Sequence, residues 1–223
     1  MMKIPIVLFG AGSHAYVVID IIERMKVYEI VGLIDSRRDI GTRFDSYKII
    51  GRQENLKDLI YTYSIKGGIV CIGDNYWRGH VSDKIIKQIP GFNFINAVHP
   101  SVIVGKNVKM GNGNVFMPGV IINPGAVIGN HCIINTNSSL EHYCTMKDFS
   151  SLSAGVTTGG YTEIGNYSAV ALGVTLFDRV KIGNHVVIGS GALVTKDIKD
   201  YSLAYGVPAK VVRKREAGDK YLK

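Results

Sequence analysis

The hydrophobic positions follow two different periods, one in each half of the chain. In the first half, short apolar runs alternate with segments whose apolar residues fall on one helical face, as in 17–25. This alternation predicts strands at 4–9, 30–34, 68–72 and 92–95 and helices around 17–25, 56–60 and 81–89. Strands alternating with helices are typical of a small, Rossmann-like parallel α/β sheet, which we assign to residues 1–95.

From Val98 to Val194 the chain instead repeats every six residues. The first position of the hexad is large and apolar in sixteen of seventeen repeats, and only Thr158 departs from the rule. The fifth position is almost always small or β-branched, and glycine often takes the second. Neither a helix, with a period of 3.6, nor a single strand, with a period of 2, produces this pattern.

A hexapeptide repeat is typical of a parallel β-helix, in which each hexad is one short strand and a corner. The large residue fills the interior, and each coil buries its face against its neighbours. We therefore predict a β-helix over residues 96–200, followed by a C-terminal segment, 201–223. Cys132 and Cys144 occupy fifth positions, which predicts a structural role for both.

Composition narrows the choice of partners. Three cysteines without metal-ligand spacing indicate a reducing, cytoplasmic environment, and no apolar run approaches the ~18 residues of a membrane helix. The net charge of +8 favours anionic ligands. The one dense basic run, 210–215, is not accompanied by a nucleic-acid motif. We therefore interpret it either as a solvated tail or as a segment that contacts a phosphorylated small molecule.

Several segments together resemble a known family. The hexads, the closing segments 189–196 and 206–210, the N-terminal turn 10–14 and the segment 72–75 are similar to those of hexapeptide-repeat acyltransferases. Within these, the chain resembles the sialic-acid O-acetyltransferase-like proteins and the bacillosamine-type nucleotide-sugar N-acetyltransferases. The resemblance implies a left-handed β-helix, acetyl-CoA as co-substrate, and a homotrimer with active sites between subunits. We expect no metal, because no two histidines have the five-residue spacing of zinc ligands in metal-dependent β-helix enzymes.

The family's catalytic histidine corresponds to His142. A neutral imidazole can accept the proton of an attacking amine at physiological pH. Many relatives have an acidic residue directly after this histidine, whereas this chain has Tyr143. Glu141 is then the local carboxylate available to orient the ring, although neighbouring residues on a strand point apart.

The turn 10–14 has the spacing Gly-x-Gly-x-x-Ala after a strand, which suits phosphate at a helix N-terminus. The resemblance implies that this region holds the nucleotide-sugar, through Gly12, Ser13, His14, Asp35, Ser36, Gly73 and Tyr76. Two other interpretations stay open. The glycines can serve a tight turn with Asp35 as a strand-end cap, or the turn can bind NAD.

For acetyl-CoA, the resemblance implies a groove between neighbouring β-helices. The matching positions are Ser151, Gly160, Leu172 and Ser190, with Ser151 standing where the bacillosamine enzymes have histidine. We therefore predict direct transfer of acetyl from acetyl-CoA to the amino group of a nucleotide-linked, UDP-type 4-amino-deoxy sugar, in bacterial surface-glycan biosynthesis. The alternatives are an O-acetyltransferase of sialic acid or a related sugar, and a non-catalytic nucleotide-sugar-binding module.

Overall fold

A computed structural model describes residues 2–221 and divides them into two compact units. The first runs to Gly73 and resumes over Trp77–Pro100, and the second contains Asp74–Tyr76 and the chain from Ser101 onward. Three helices are present in the described chain: α1 (Ser13–Met25), α2 (Leu56–Thr62, preceded by a short 3₁₀ turn) and α3 (Asn75–Gln88).

The first unit is built on a five-stranded sheet. Its strands are β1 (Ile4–Phe9), β2 (Tyr28–Ile34), β3 (Arg43–Phe44), β4 (Tyr47–Gly51) and β5 (Gly67–Val70). Their order is β3-β4-β2-β1-β5; all pairings are parallel except the β3–β4 hairpin. Because β1 and β5 lie inside the unit, their residues are buried almost without alternation, as expected for a parallel sheet.

The structure corrects the sequence prediction in two places. The predicted strand at 92–95 is wrong, since only Phe94 forms a single bridge, to Gly68. Phe92 and Phe94 are buried because their rings pack into the aromatic core beside Phe9, so their apolar character does not reflect strand pairing. The β3–β4 hairpin was not predicted, because β3 has only two residues and shows no alternating pattern.

The second unit is a parallel β-helix with two-residue strands at six-residue intervals. Each strand pairs with the strands 18 residues before and after it, so one coil contains three strands on three faces. Within the first unit, β6 (Ala97–Val98) comes before this run in the sequence. The strands of the second unit are β7 (Ile103–Val104), β8 (Lys109–Met110), β9 (Val115–Phe116), β10 (Ile121–Ile122), β11 (Val127–Ile128), β12 (Ile133–Ile134), β13 (Ser139–Leu140), β14 (Thr145–Met146), β15 (Ser151–Leu152), β16 (Thr157–Thr158), β17 (Glu163–Ile164), β18 (Ala169–Val170), β19 (Thr175–Leu176), β20 (Lys181–Ile182), β21 (Val187–Ile188), β22 (Leu193–Val194) and a closing hairpin, β23 (Ser202–Gly206) and β24 (Ala209–Lys214).

The first hexad positions fill the interior as the repeat predicts. From Phe116 to Val194 every one of them is buried, including the exception, Thr158. Val104 and Met110 are partly exposed because they belong to the first coil, whose strands β7 and β8 end their sheets. The stacked interior is therefore the core of this unit.

Candidate active site

An imidazole and a carboxylate lie side by side at one corner of the β-helix. Both residues follow β13. The Nδ1 atom of His142 is 3.7 Å from Oε2 of Glu141. About half of the His142 side chain is exposed and about a third of the Glu141 side chain. The corner turns directly after the pair, where Tyr143 has a φ of 55°. At 3.7 Å the pair is longer than a hydrogen bond, so the carboxylate acts on the ring through its charge and favours the protonated imidazole.

Two polar residues hold Glu141 itself. The side-chain amide of Asn123 donates a 3.0 Å hydrogen bond to Oε1 of Glu141. The backbone N–H of Glu141 donates a 2.9 Å hydrogen bond to the hydroxyl of Thr158, which is buried in the interior. Both the side chain and the backbone of this carboxylate are thus fixed from neighbouring coils.

Gly160 provides the space that the His142 ring occupies. It lies one coil after His142, at the equivalent position of the repeat. A β-carbon at Gly160 would lie 2.5 Å from Cε1 and 2.6 Å from Nε2 of the imidazole. Since carbon contacts closer than 3.0 Å essentially do not occur, the position of the ring depends on glycine here.

An aromatic column packs against the same ring. Tyr143 and Tyr161 stack at 5.2 Å between centroids, and the Arg179 guanidinium lies 4.5 Å over the Tyr161 ring. The His142 ring is nearly perpendicular to both tyrosines, at 6.1 Å and 5.3 Å. The tyrosine at the position after His142 therefore contributes a packing surface where the resemblance leads one to expect a carboxylate.

Cys144, two residues after His142, is not available as a nucleophile. Its side chain is fully buried in the β-helix interior, and its thiol lies 3.1 Å from the carbonyl of Gly159. Burial raises the pKa of this thiol above its usual range. Since the thiolate is the nucleophilic form, this environment disfavours an acetyl-cysteine intermediate.

In the first unit, Asp35 organises the glycine turn. Its carboxylate accepts hydrogen bonds from the backbone N–H groups of Ala11 (2.8 Å), Arg37 (2.8 Å) and Arg38 (3.0 Å). Burial raises the pKa of Asp35, but these donors and the Arg38 charge outweigh it and hold the pKa below its ordinary value. The carboxylate is therefore ionised at neutral pH and ties the end of β2 to the turn after β1.

The two glycines of this turn have different roles. Gly10 has a φ of 101°, and a β-carbon there would come within 3.2 Å of the Ile72 side chain, so the turn itself requires glycine. Gly12 caps α1 with an ordinary φ of −96°, and no described atom lies within 4 Å of its added β-carbon. The fold therefore accounts for Gly10 alone, and Gly12 faces open space at a helix N-terminus.

His14 and Gly73 are connected through a buried arginine. The Arg78 guanidinium is fully buried and donates hydrogen bonds to the carbonyls of Ile72 (3.0 Å) and Gly73 (2.9 Å). Burial, followed by the nearby Arg78 charge, lowers the pKa of His14 to about 4. His14 is thus neutral at physiological pH, and its Nε2 atom is buried without a hydrogen-bond partner.

The other predicted residues differ in their exposure. Ser13 begins α1 and Ser36 follows Asp35, both exposed. Leu172 and Ser190 are exposed at equivalent positions one coil apart. Ser151 is buried, and its hydroxyl accepts a hydrogen bond from the side-chain amide of Asn75. Tyr76 is exposed.

The sequence interpretation did not single out Asn123, Tyr161, Arg179 and Arg78. Three of these could have been found from the repeat. Asn123 lies 18 residues before Glu141, and Tyr161 and Arg179 lie 18 and 36 residues after Tyr143. Residues one coil apart are neighbours in a β-helix, so the period itself was the signal. Arg78 had no such signal, because a lone arginine in a helical segment is normally exposed.

Comparisons with known proteins support both halves of this description. Residues 5–85 match the family model of the PglD N-terminal domain. The acetyltransferase domain of PglB from Neisseria gonorrhoeae, solved with acetyl coenzyme A, is 25% identical; the match covers 95% of this chain and 100% of that one, with a TM-score of 0.85. PerB from Caulobacter crescentus, solved with CoA and GDP-perosamine, is 29% identical; coverage is 96% and 99%, and the TM-score 0.87.

WeeI from Acinetobacter baumannii shares the fold at 18% identity, with coverage of 95% and 100% and a TM-score of 0.73. Within residues 2–221, no helix is long and apolar enough to cross a membrane, and no group of three or more His, Cys, Asp or Glu residues is arranged to hold a metal ion. The predicted fold class, a small α/β domain followed by a left-handed β-helix, is confirmed. The chain thus combines a PglD-type N-terminal domain with a hexapeptide-repeat domain, and it is an acyltransferase similar to the nucleotide-sugar N-acetyltransferases.

Proposed function

We propose that this protein transfers an acetyl group from acetyl-CoA to the amino group of a nucleotide-linked 4-amino-deoxy sugar, with His142 as the general base. The observation that carries the proposal is the exposed imidazole of His142, with the Glu141 carboxylate 3.7 Å from its Nδ1 atom. The similarity to PglB, solved with acetyl-CoA, and to PerB, solved with CoA and GDP-perosamine, supports the two substrates.

The reaction follows from this geometry. The sugar amine attacks the thioester carbonyl carbon, and Nε2 of His142 accepts the proton that the nitrogen loses as the C–N bond forms. The tetrahedral intermediate then collapses, the C–S bond breaks, and the CoA thiolate leaves and takes up a proton. The Glu141 carboxylate, 3.7 Å from Nδ1, stabilises the transient imidazolium through its charge. The burial of Cys144 favours direct transfer over a covalent acetyl-enzyme.

We assign the nucleotide to the turn in the first unit. The exposed N-terminus of α1 at Gly12 and Ser13 offers backbone N–H groups to a diphosphate. The carbonyl ends of three adjacent strands, β2, β1 and β5, place Asp35, this turn and Gly73 along one edge of the sheet, where nucleotides bind in open α/β folds. UDP is the nucleotide that we propose first, with GDP, the nucleotide of the PerB ligand, as the nearest competitor.

We assign CoA to the β-helix, at Gly160, Leu172, Ser190 and Ser151, and we propose that three copies of the chain assemble with this groove between neighbours. The apolar side chain of Leu172, which is 58% exposed, is suited to such a shared surface. Light scattering should give three times the monomer mass of 24.4 kDa. A monomer at micromolar concentration would exclude the shared groove.

We place the reaction in the cytoplasm, as a step in surface-glycan synthesis.

The test is an assay of thiol release from acetyl-CoA with UDP-, dTDP-, GDP- and CMP-linked amino sugars. We expect turnover with one nucleotide, and a loss of roughly 10²–10⁴-fold in kcat for His142→Ala, the usual contribution of a general base. Circular dichroism of the variant should match the wild type, because His142 is outside the core. Full activity of His142→Ala would remove this residue from the mechanism.

A further inference from the structure

Only one first hexad position is not apolar, and it lies one coil after the proposed catalytic pair. Thr158 occupies a first position and is 1% exposed, between Leu140 and Leu176 at the equivalent positions of the adjacent coils. A hydroxyl in an apolar interior is unfavourable unless it forms hydrogen bonds. The interior of this coil therefore contains a hydroxyl, whereas apolar residues fill every other first hexad position from 116 to 194. Its Oγ1 atom also lies 3.5 Å from the Cys144 thiol.

The hydroxyl replaces a backbone carbonyl in the hydrogen-bond ladder. In the regular ladder, the backbone N–H of the residue after each strand donates to a backbone carbonyl of the next coil. One coil earlier, Asn123 donates to Leu140 at 2.8 Å, and one coil later, Gly159 donates to Leu176 at 2.6 Å. At the middle coil, the N–H of Glu141 donates instead to Oγ1 of Thr158 at 2.9 Å. The pairing of β13 with β16 is correspondingly reduced to one residue pair, whereas β10 and β13 share two.

We propose that Thr158 is a positioning residue for catalysis, acting on His142 through Glu141. Its hydroxyl draws the backbone of Glu141 out of the regular ladder, while Asn123 holds the carboxylate. These two contacts set the 3.7 Å approach of Glu141 to the imidazole. The inference rests on the proposed function, since it assigns a role within the same reaction.

The decisive variant is Thr158→Val, which restores the repeat. Valine has nearly the same shape and lacks the hydroxyl, so the Glu141 N–H is free to form the ladder bond to the carbonyl of residue 158. We expect an unchanged or higher melting temperature together with a kcat that is roughly ten- to a hundredfold lower, the effect of a misplaced catalytic group. The KM values for both substrates should stay near those of the wild type.

Two further variants separate positioning from general damage. Thr158→Ser keeps a hydroxyl and should recover most of the lost kcat. Ser138→Ala removes another buried hydroxyl that accepts a backbone N–H, from Val156 at 3.2 Å, and should leave kcat unchanged. In a double-mutant cycle, Thr158→Val should add no loss in a Glu141→Gln background, because Thr158 acts through that carboxylate.

A crystal structure of Thr158→Val tests the same claim without activity. The distance between Oε2 of Glu141 and Nδ1 of His142 should lengthen beyond 3.7 Å. An unchanged distance, wild-type kcat in Thr158→Val, or full additivity with Glu141→Gln would each overturn the inference. By contrast, a wild-type protein that acetylates no nucleotide-sugar would overturn the proposed function, and the crystal structure would still decide whether Thr158 positions Glu141.

Discussion

The dependence of the His142 ring on Gly160 leads to a specific prediction, that Gly160→Ala lowers kcat without destabilising the fold. The new methyl group would lie 2.5 Å from Cε1 of the imidazole, and ordinary contact begins at 3.4 Å. The ring must therefore retreat by about 1 Å, and a catalytic group misplaced by that much commonly costs ~10²-fold in rate. Because the His142 side chain is half exposed, it can move into solvent at little cost in stability.

The assay is steady-state thiol release, with kcat and both KM values measured for the wild type and Gly160→Ala. The prediction is a kcat about 10²-fold lower with a nearly unchanged melting temperature. Because Gly160 is also one of the residues proposed to bind CoA, the KM for acetyl-CoA can rise as well. A rise in that KM with a wild-type kcat would leave Gly160 with the CoA role alone. In a His142→Ala background the second substitution should have no further effect on kcat, since the displaced ring is absent. Wild-type kcat in Gly160→Ala would refute the geometric reasoning.

Three further predictions follow from other contacts. Gly12→Val should fold normally, because its side chain enters open space, and should raise the KM for the nucleotide-sugar but not for acetyl-CoA; unchanged sugar kinetics would move the nucleotide elsewhere. The pKa of His14 is lowered from 6.5 to about 4 by burial, so as the pH falls the unfolded chain takes up a proton at His14 before the folded protein does. The free energy of unfolding should therefore fall as pH drops from 6.5 to 4, and His14→Gln should flatten this dependence in denaturant titrations; an equal slope in both proteins would contradict the burial of this ring. Tyr161→Phe keeps the ring beside His142 and should retain kcat, whereas Tyr161→Leu should lower it severalfold. Phe149→Leu, in the separate stack between His131 and Tyr167, is the matched control and should leave kcat unchanged; equal losses in both leucine variants would indicate general damage to the β-helix.

The β-helix was predictable almost strand by strand because its period is a direct consequence of stacking. A large residue every sixth position fills the interior, and the strands from β7 to β22 fall on those positions. The α/β unit was less predictable at its margins. The segment 92–95 is apolar because Phe92 and Phe94 complete the core, and burial of this kind does not distinguish packing from pairing.

The candidate site was also only partly predictable from the sequence. His142 was identified by resemblance and Glu141 as the carboxylate directly before it, and the structure places their side chains 3.7 Å apart. Asn123 and Gly160 lie one coil before and after this pair, so the 18-residue spacing specifies their neighbourhood. What the spacing cannot give is the direction of each side chain. In the inference drawn above, the 3.7 Å approach of Glu141 to the ring is set by the hydrogen bond of its N–H to Thr158, which is a tertiary feature.

The central claim is that this chain forms an amide on a nucleotide-linked amino sugar, with His142 as the base. The most direct measurement is mass spectrometry of the sugar product after incubation with acetyl-CoA, before and after mild alkaline treatment. The account predicts the gain of one acetyl group that survives alkali, as an amide does, and its near-complete loss with His142→Ala. An acetyl group removed by alkali would identify an ester and hence an O-acetyltransferase. No acetylation of any nucleotide-linked amino sugar, or full product from His142→Ala, would contradict the account.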